Sequence, residues 1–223
     1  MKVLIIGSSG RLGTTLLSLF RSIGIDTYGV DLHNADISRT AMEESDLVFL
    51  CVPIGTAKKM IDSLEHSQKL VEVSSVKKPF IEYAGKIISI HPLFGPLSIN
   101  KEDLRNILFI SDISRKGSKK LIEDLFPGFN IIQIRSVDHD RLMVQLQVIP
   151  YLLSILSSRI STETALKTRS RIILDHISSI FSSQSPEVLA DTIRLNPFSK
   201  DAFGSMKRTL EELGGELFDN TPQ

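Results

Sequence analysis

The sequence predicts an α/β chain in two parts: a doubly wound, mainly parallel sheet over residues 1–135, then a small all-helical domain over residues 136–223. Three observations predict it. Short, continuously apolar runs alternate with segments whose apolar residues recur at helical spacing, the pattern of strands buried on both faces and the helices that cover them. The alternation stops at Ser136, and no convincing strand follows from Val137 onward. Composition is the third: 223 residues with 42% hydrophobic side chains can bury a sizeable core.

The 26 basic and 26 acidic residues balance to a net charge of zero. That argues against nucleic acid or an anionic membrane as the main partner, since both favour a basic footprint. A single cysteine, Cys51, sits in an apolar run, as expected of a reducing cytoplasm. One cysteine and five scattered histidines give no metal-ligand spacing. The apolar run Val3 to Ile6 is too short for a signal peptide, and no later run reads as long and apolar enough to span a membrane. The expectation is a soluble, cytoplasmic protein.

Val3 to Ile6 is the first strand, closed by glycine. Gly7-Ser8-Ser9-Gly10-Arg11-Leu12-Gly13 follows, then a helix with Leu12, Leu16, Leu19, Phe20 and Ile23 at its spacing. Asp26 to Val30 is the second strand, ending at Asp31, eighteen residues after Gly13. Strand, glycine turn, helix, strand and acidic residue in this order match the dinucleotide-binding fingerprint. In that reading Gly7, Ser9, Gly10, Arg11, Leu12 and Gly13 cradle a pyrophosphate at the helix N-terminus. Asp31 accepts hydrogen bonds from ribose hydroxyls and repels a 2′-phosphate, so the cofactor is NAD rather than NADP. The fingerprint departs at Ser8, where glycine is usual, and the alternative is a tight βα turn with Asp31 as its cap.

Leu47 to Val52 is a fully apolar strand closed by Pro53, and Ile54 to Leu64 a helix with Ile54, Ala57, Ile61 and Leu64 on one face. Leu70 to Val73 is a strand opening into Ser74-Ser75-Val76-Lys77, and Lys78 to Tyr83 a short helix with Pro79 in its first turn. Lys86 to Ile90 is the strand that delivers His91 to Pro92-Leu93-Phe94-Gly95-Pro96. Two prolines and a glycine oppose regular continuation, so His91 is expected at a strand-to-loop edge, where α/β proteins place chemistry. The alternative is a histidine packed in a turn. Ile107 to Ile110, a helix from Gly117 to Phe126 and a strand from Asn130 to Ile134 complete the first part.

Asp138 to Ile160 reads as a long helix interrupted by Pro150 and apolar on most faces. A domain this small cannot bury such a helix within itself, so a homodimer through the helical domain is expected. Ser185-Pro186-Glu187 sets an N-cap before a proline at the first helical position, and Asn196-Pro197 repeats the device. The last helix should end near Gly214-Gly215.

The glycine turn at 7–13, Val52-Pro53, the S-V-K tripeptide at 75–77 and H-P-x-F-G-P at 91–96 together resemble the prephenate dehydrogenase family. Asp138-His139-Asp140, with Gln147 on the same helix, resembles the start of that family's helical domain. The resemblance implies a Rossmann-type domain and NAD-dependent oxidative decarboxylation of prephenate to 4-hydroxyphenylpyruvate in tyrosine biosynthesis. Arogenate is the neighbouring substrate, and a non-catalytic NAD-binding relative is the alternative of another class. It also implies His91 as the base that takes the substrate hydroxyl proton, a task suited to neutral imidazole. Ser75 orients His91 or the hydroxyl, while Val52 and Pro53 lie beside the cofactor. Lys77, Gln147 and Arg171 then meet substrate, Lys77 by supplying positive charge for a carboxylate or phosphate. The family's substrate-gripping arginine falls at Ser179 or Ile180 here, leaving Arg171 or Arg169 as substitutes. Tyr151 stands where relatives carry histidine. His139 either holds the domain junction or touches substrate, and His33, His66 and His176 read as surface or packing residues.

Overall fold

A computed structural model describes residues 1–31, 39–63, 69–96, 98–183 and 185–219. Leu64, His33 and His66 lie outside these residues. The chain divides into two compact units, Met1–His139 and Asp140–Gln223, slightly past the expected boundary at 135/136.

The first unit holds seven strands: β1 (Lys2–Ile6), β2 (Asp26–Val30), β3 (Leu47–Leu50), β4 (Leu70–Glu72), β5 (Ile88–Pro92), β6 (Asn106–Ile110) and β7 (Asn130–Ile134). They form one sheet in the order β2-β1-β3-β4-β5-β6-β7. The first five run parallel, β6 pairs antiparallel with β5, and β7 runs parallel to β6. The strand order reverses between β1 and β3, the switch point at which open α/β sheets leave a crevice beyond their carboxyl ends. The helices of this unit are α1 (Arg11–Ser22), α2 (Arg39–Glu43), α3 (Ile54–Ser63) and α4 (Ser118–Leu125). Lys78–Tyr83 and Glu102–Leu104 are 3₁₀ turns.

Every residue of β3 and β4 is buried, as an interior parallel strand requires. Phe20 of α1, Phe49 of β3 and Phe126 beyond α4 form an aromatic trio with ring centroids 5.2, 5.2 and 6.4 Å apart. These tilted and edge-on contacts are the favoured aromatic geometries, and they clamp α1 and α4 to the sheet. Phe94 stacks at 5.0 Å on Phe129, which anchors the loop after His91.

His91 departs from expectation: it lies inside β5, not just beyond it. The strand runs on through Pro92, with His91 opposite Leu108 and Pro92 opposite Ile107 on antiparallel β6. Proline gives up one donor there, but the pairing is kept by Leu93, whose N–H reaches the Asn106 carbonyl at 2.9 Å.

The second unit is all-helical. Beyond α5 (Ser136–Met143), which carries the chain into it, come a π-helical turn (Val144–Val148), α6 (Ile149–Ile160), α7 (Arg169–Ser183), α8 (Pro186–Leu195) and α9 (Ser199–Gly214). The expected break at Pro150 does not occur, and Ser136–Ile160 is one helix of 25 residues. Proline lacks the N–H that would bond the carbonyl four residues back, and its ring crowds that carbonyl. The wider π turn just ahead of Pro150 absorbs both problems within a continuous helix. In length and composition this helix could cross a membrane, with mean hydropathy 1.2 and a third of its window buried. That corrects the sequence reading, which took it as broken. Within the unit it packs on α7 along small residues: Ser157 Oγ lies 2.5 Å from Ser178 Oγ, and Ser154 Oγ is 3.4 Å from the Ser178 carbonyl.

Two further helix ends differ. Ser185 caps α8 by position, with Pro186 in the first turn, but its hydroxyl makes no cap bond. Asn196 caps the end of α8, not the start of α9: its Oδ1 accepts from the Phe198 N–H at 2.9 Å and its Nδ2 donates to the Asp140 carbonyl at 2.7 Å. Gly215 has φ −63°, a helical value, so the last helix passes through Gly214-Gly215 into a π turn, Gly215–Asp219.

Candidate active site

Two glycines of the turn from β1 to α1, Gly7 and Gly13, leave no room for a side chain. Gly7 has φ +85°, and a Cβ there would lie 2.2 Å from the Cys51 carbonyl oxygen; one on Gly13 would lie 2.1 Å from the Gly7 carbonyl oxygen. This brings the end of β1, the end of β3 and the start of α1 into backbone contact at the switch point. Gly10 caps α1 with no side-chain bond, which leaves the positive end of the helix dipole to an external anion. Ser8, the departure from the fingerprint, is accommodated across the sheet. A Cβ on Gly29 of β2 would lie 2.6 Å from Ser8 Cβ and 2.7 Å from its Oγ, so the neighbouring strand makes room for the Ser8 side chain by having none at position 29.

Asp31 closes the turn. Its carboxylate accepts the Ser9 N–H at 3.1 and 3.2 Å and the Ser8 hydroxyl at 3.4 Å. Val52 and Pro53 follow β3, where the Pro53 carbonyl accepts the Ala57 N–H at 2.9 Å and so starts α3. Burial pushes the neighbouring Cys51 thiol up to about 12, so it stays protonated and unreactive.

The carboxyl ends of β3, β4 and β5 share this edge of the sheet, because the three strands are parallel and adjacent. From β4 the chain enters Ser74-Ser75-Val76-Lys77, with Ser75 half-buried. Lys77 differs from expectation. Its side chain is wholly buried and pairs at 2.8 Å with the equally buried Glu72; its ammonium also donates to the Ile90 carbonyl at 2.8 Å. The Glu72 carboxylate also accepts the Ser89 hydroxyl at 2.7 Å and the Ser74 N–H. The charge of Lys77 is therefore balanced inside the fold, where it ties the Ser-Val-Lys loop to the residue before His91. A surface charge for a substrate anion is not what it supplies.

His91 is buried, and its Nδ1 lies 2.9 Å from Nε2 of His139, with the rings tilted 59° and their centroids 5.1 Å apart. Burial, the neighbouring His139 and the Lys77 cation hold His91 well below the usual imidazole range. Burial and Lys77 lower His139 to about 2. Both rings are neutral near pH 7. A neutral imidazole can accept a proton.

Sequence reasoning left His139 without a definite role and passed over Glu72 and Gly29. Glu72 carried a signal, a carboxylate inside an otherwise apolar strand with a lysine five residues on; buried charges need partners. Among the other expected residues, Gln147 lies half-buried in the π turn of the helical unit. Arg171, on α7, pairs with Asp175 at 2.8 Å, a carboxylate that also holds Lys167 at 2.5 Å. Arg169 is exposed, and Ser179 donates to the His176 carbonyl at 2.7 Å.

Residues 25–109 match the family model of the prephenate dehydrogenase nucleotide-binding domain; the glycine turn precedes this span. No curated protein matches the chain. Among solved structures, prephenate dehydrogenase from A. aeolicus, in complex with hydroxyphenyl propionate and NAD⁺, aligns with TM-score 0.69 at 18% identity, covering 96% of this chain and 89% of that one. Arogenate dehydrogenase from Synechocystis aligns with TM-score 0.63 at 17% identity, over 96% and 90%. A putative prephenate dehydrogenase from Corynebacterium glutamicum gives 0.69 at 16%, over 100% and 83%. The chain thus has the prephenate and arogenate dehydrogenase fold over nearly all its length, and its residues 25–109 are similar to the nucleotide-binding domain of prephenate dehydrogenases.

Proposed function

We propose that this protein is an NAD-dependent prephenate dehydrogenase, forming 4-hydroxyphenylpyruvate for tyrosine biosynthesis. The observation that carries the reading is His91: a neutral, buried imidazole on β5, at the same sheet edge as the glycine turn and Asp31. The fit to a dinucleotide rests on that turn, where added Cβ atoms at Gly7 and Gly13 would collide with backbone, and on an α1 N-terminus without a capping side chain. Gly7, Ser9, Gly10, Arg11, Leu12 and Gly13 would hold the pyrophosphate, Asp31 the ribose, and Val52 and Pro53 the face beside it. Bound NAD supplies the hydride acceptor.

His91 uses Nε2, the nitrogen not turned toward His139. It takes the substrate hydroxyl proton as the C–H electron pair leaves as hydride. The ring carboxylate departs as carbon dioxide, its bonding pair enters the ring, and the oxygen recovers a proton from His91 to end as a phenol. No net proton is released. Aromatisation drives the sequence, so the protein need only hold geometry and lend the proton for one turnover. Ser75 orients the hydroxyl. Gln147 and Arg171 are the further substrate contacts in this reading; the ion pair of Arg171 with Asp175 is of a kind that costs little to break. The apolar helices of the second unit pair two copies into a homodimer working in the cytoplasm.

NADH formation from prephenate, followed by absorbance, tests the reading, with arogenate and NADP as parallel arms. Prephenate with NAD should be the best pair. His91→Asn should keep nucleotide affinity and lose about 10²–10⁴-fold in kcat. A wild-type chain that binds NAD and turns over neither substrate is the non-catalytic relative instead.

A further inference from the structure

We propose that His139 is the positioning residue of His91: its Nε2 accepts the Nδ1–H of His91, which fixes the tautomer that leaves the lone pair on His91 Nε2. The inference rests on the reading of His91 as a base.

The geometry leaves little choice. Two imidazole nitrogens 2.9 Å apart are at hydrogen-bond distance, so one proton lies between them; two facing lone pairs or two facing protons would repel. The rings are tilted rather than stacked, so the contact is a nitrogen-to-nitrogen bond. Neither ring is open to water, at 5% and 0% exposure, so solvent cannot easily replace the partner. Two arrangements satisfy the contact. If His139 donates, His91 carries its hydrogen on Nε2 and cannot act as a base there. If His91 donates, Nε2 is bare. Base catalysis therefore selects the second arrangement.

The choice of partner has a chemical consequence. A carboxylate behind the base would stabilise its protonated form and hold the proton. A neutral imidazole accepts the same hydrogen bond and orients the ring with far less stabilisation of the cation. The buried Lys77 and its partner Glu72 are the charged pair packed beneath this site, and Lys77 opposes the cation at both rings. A proton that must be returned within the turnover is well served by such a base. His139 stands on α5 and His91 on β5, so the bond sets the ring from an element separate from its own strand.

The test is the ¹⁵N spectrum of histidine-labelled protein, ligand-free and near neutral pH, with His91 and His139 assigned by His91→Asn and His139→Asn. The expected spectrum has His91 protonated at Nδ1 and bare at Nε2, with His139 Nε2 also bare. His91 protonated at Nε2 with a bare Nδ1 overturns the proposal. In a second arm, His139→Leu should abolish the tautomer preference and lower kcat by about 10²-fold, the scale of a general-base contribution, with little change in KM for NAD. His139→Asn, whose amide oxygen can still accept, should recover part of both. A folded His139→Leu that keeps the His91 tautomer and kcat also overturns the proposal. Should that variant fail to fold, the wild-type tautomer decides. Should the wild type turn over neither substrate, the dehydrogenase reading falls alone and the spectrum still judges the His91–His139 bond.

Discussion

The buried residues around His91 make their strongest demands through charge. Lys77 and Glu72 are both fully buried, and removing one partner of such a pair leaves an uncompensated ion. Lys77→Met or Glu72→Gln should each destabilise the fold by about 3–5 kcal/mol, measured by urea unfolding; the double variant should cost less than the sum. The two histidines predict a pH dependence. Their folded-state values lie below the ordinary 6.5, so below that pH the unfolded chain binds protons that the folded chain refuses. Stability is then complete above about pH 6.5 and is lost as the pH falls, at about 1.4 kcal/mol per pH unit for each imidazole. Replacing His139 with Asn should roughly halve that slope between pH 6 and pH 5. That His91 belongs to the end region of a strand was legible because the signals are local, an apolar run before it and prolines and a glycine after it, although the strand runs on through Pro92. The roles of His139 and Glu72 were not, because the bonds that define them join separate elements, 48 positions apart for the two histidines and 17 for Glu72 and Ser89.

Among the elements, the strands were legible and the helix ends were not. Short, fully apolar runs bounded by turn residues, such as Leu47 to Leu50, read as interior strands from length and flanks alone. Pro150, Asn196 and Gly215 are local breakers whose effect depends on what the backbone does nearby: a π turn ahead of the proline, a bond from Asn196 to Asp140, a helical φ at the glycine. Two predictions belong here. Phe49→Ala removes one ring of the aromatic trio and should cost about 3–5 kcal/mol, readable as a lower urea midpoint. Gly29→Ala drives a methyl into Ser8 and should cost about 1–3 kcal/mol. Most of that loss should disappear in the Ser8→Gly background, a coupling that a double-mutant cycle measures.

At the scale of the whole molecule, the division into a sheet unit and a helical unit was legible from the point where alternation stops. The second unit leaves apolar surface uncovered, and the proposed homodimer would cover it. Leu146, Leu153, Phe203 and Leu210 are all well exposed, and a groove of about 750 Å³ lined by Leu153, Leu156, Phe198, Met206 and Leu210 runs across the unit. Surface of this kind on a monomer is unusual. Sedimentation should therefore give a dimer at micromolar concentration, and Leu153→Glu with Leu210→Glu should give monomers. A wild type that sediments as a monomer would remove the homodimer from the proposal.

The seat of Ser8 over Gly29 also constrains the history open to this chain. A side chain at position 8 is tolerated only while position 29 has none, so the two sites cannot drift independently. A lineage regaining glycine at position 8 becomes free to vary position 29, whereas the reverse order passes through a clash. Relatives that carry serine at the first position should therefore keep glycine at the second, and relatives with glycine at the first should show side chains at the second.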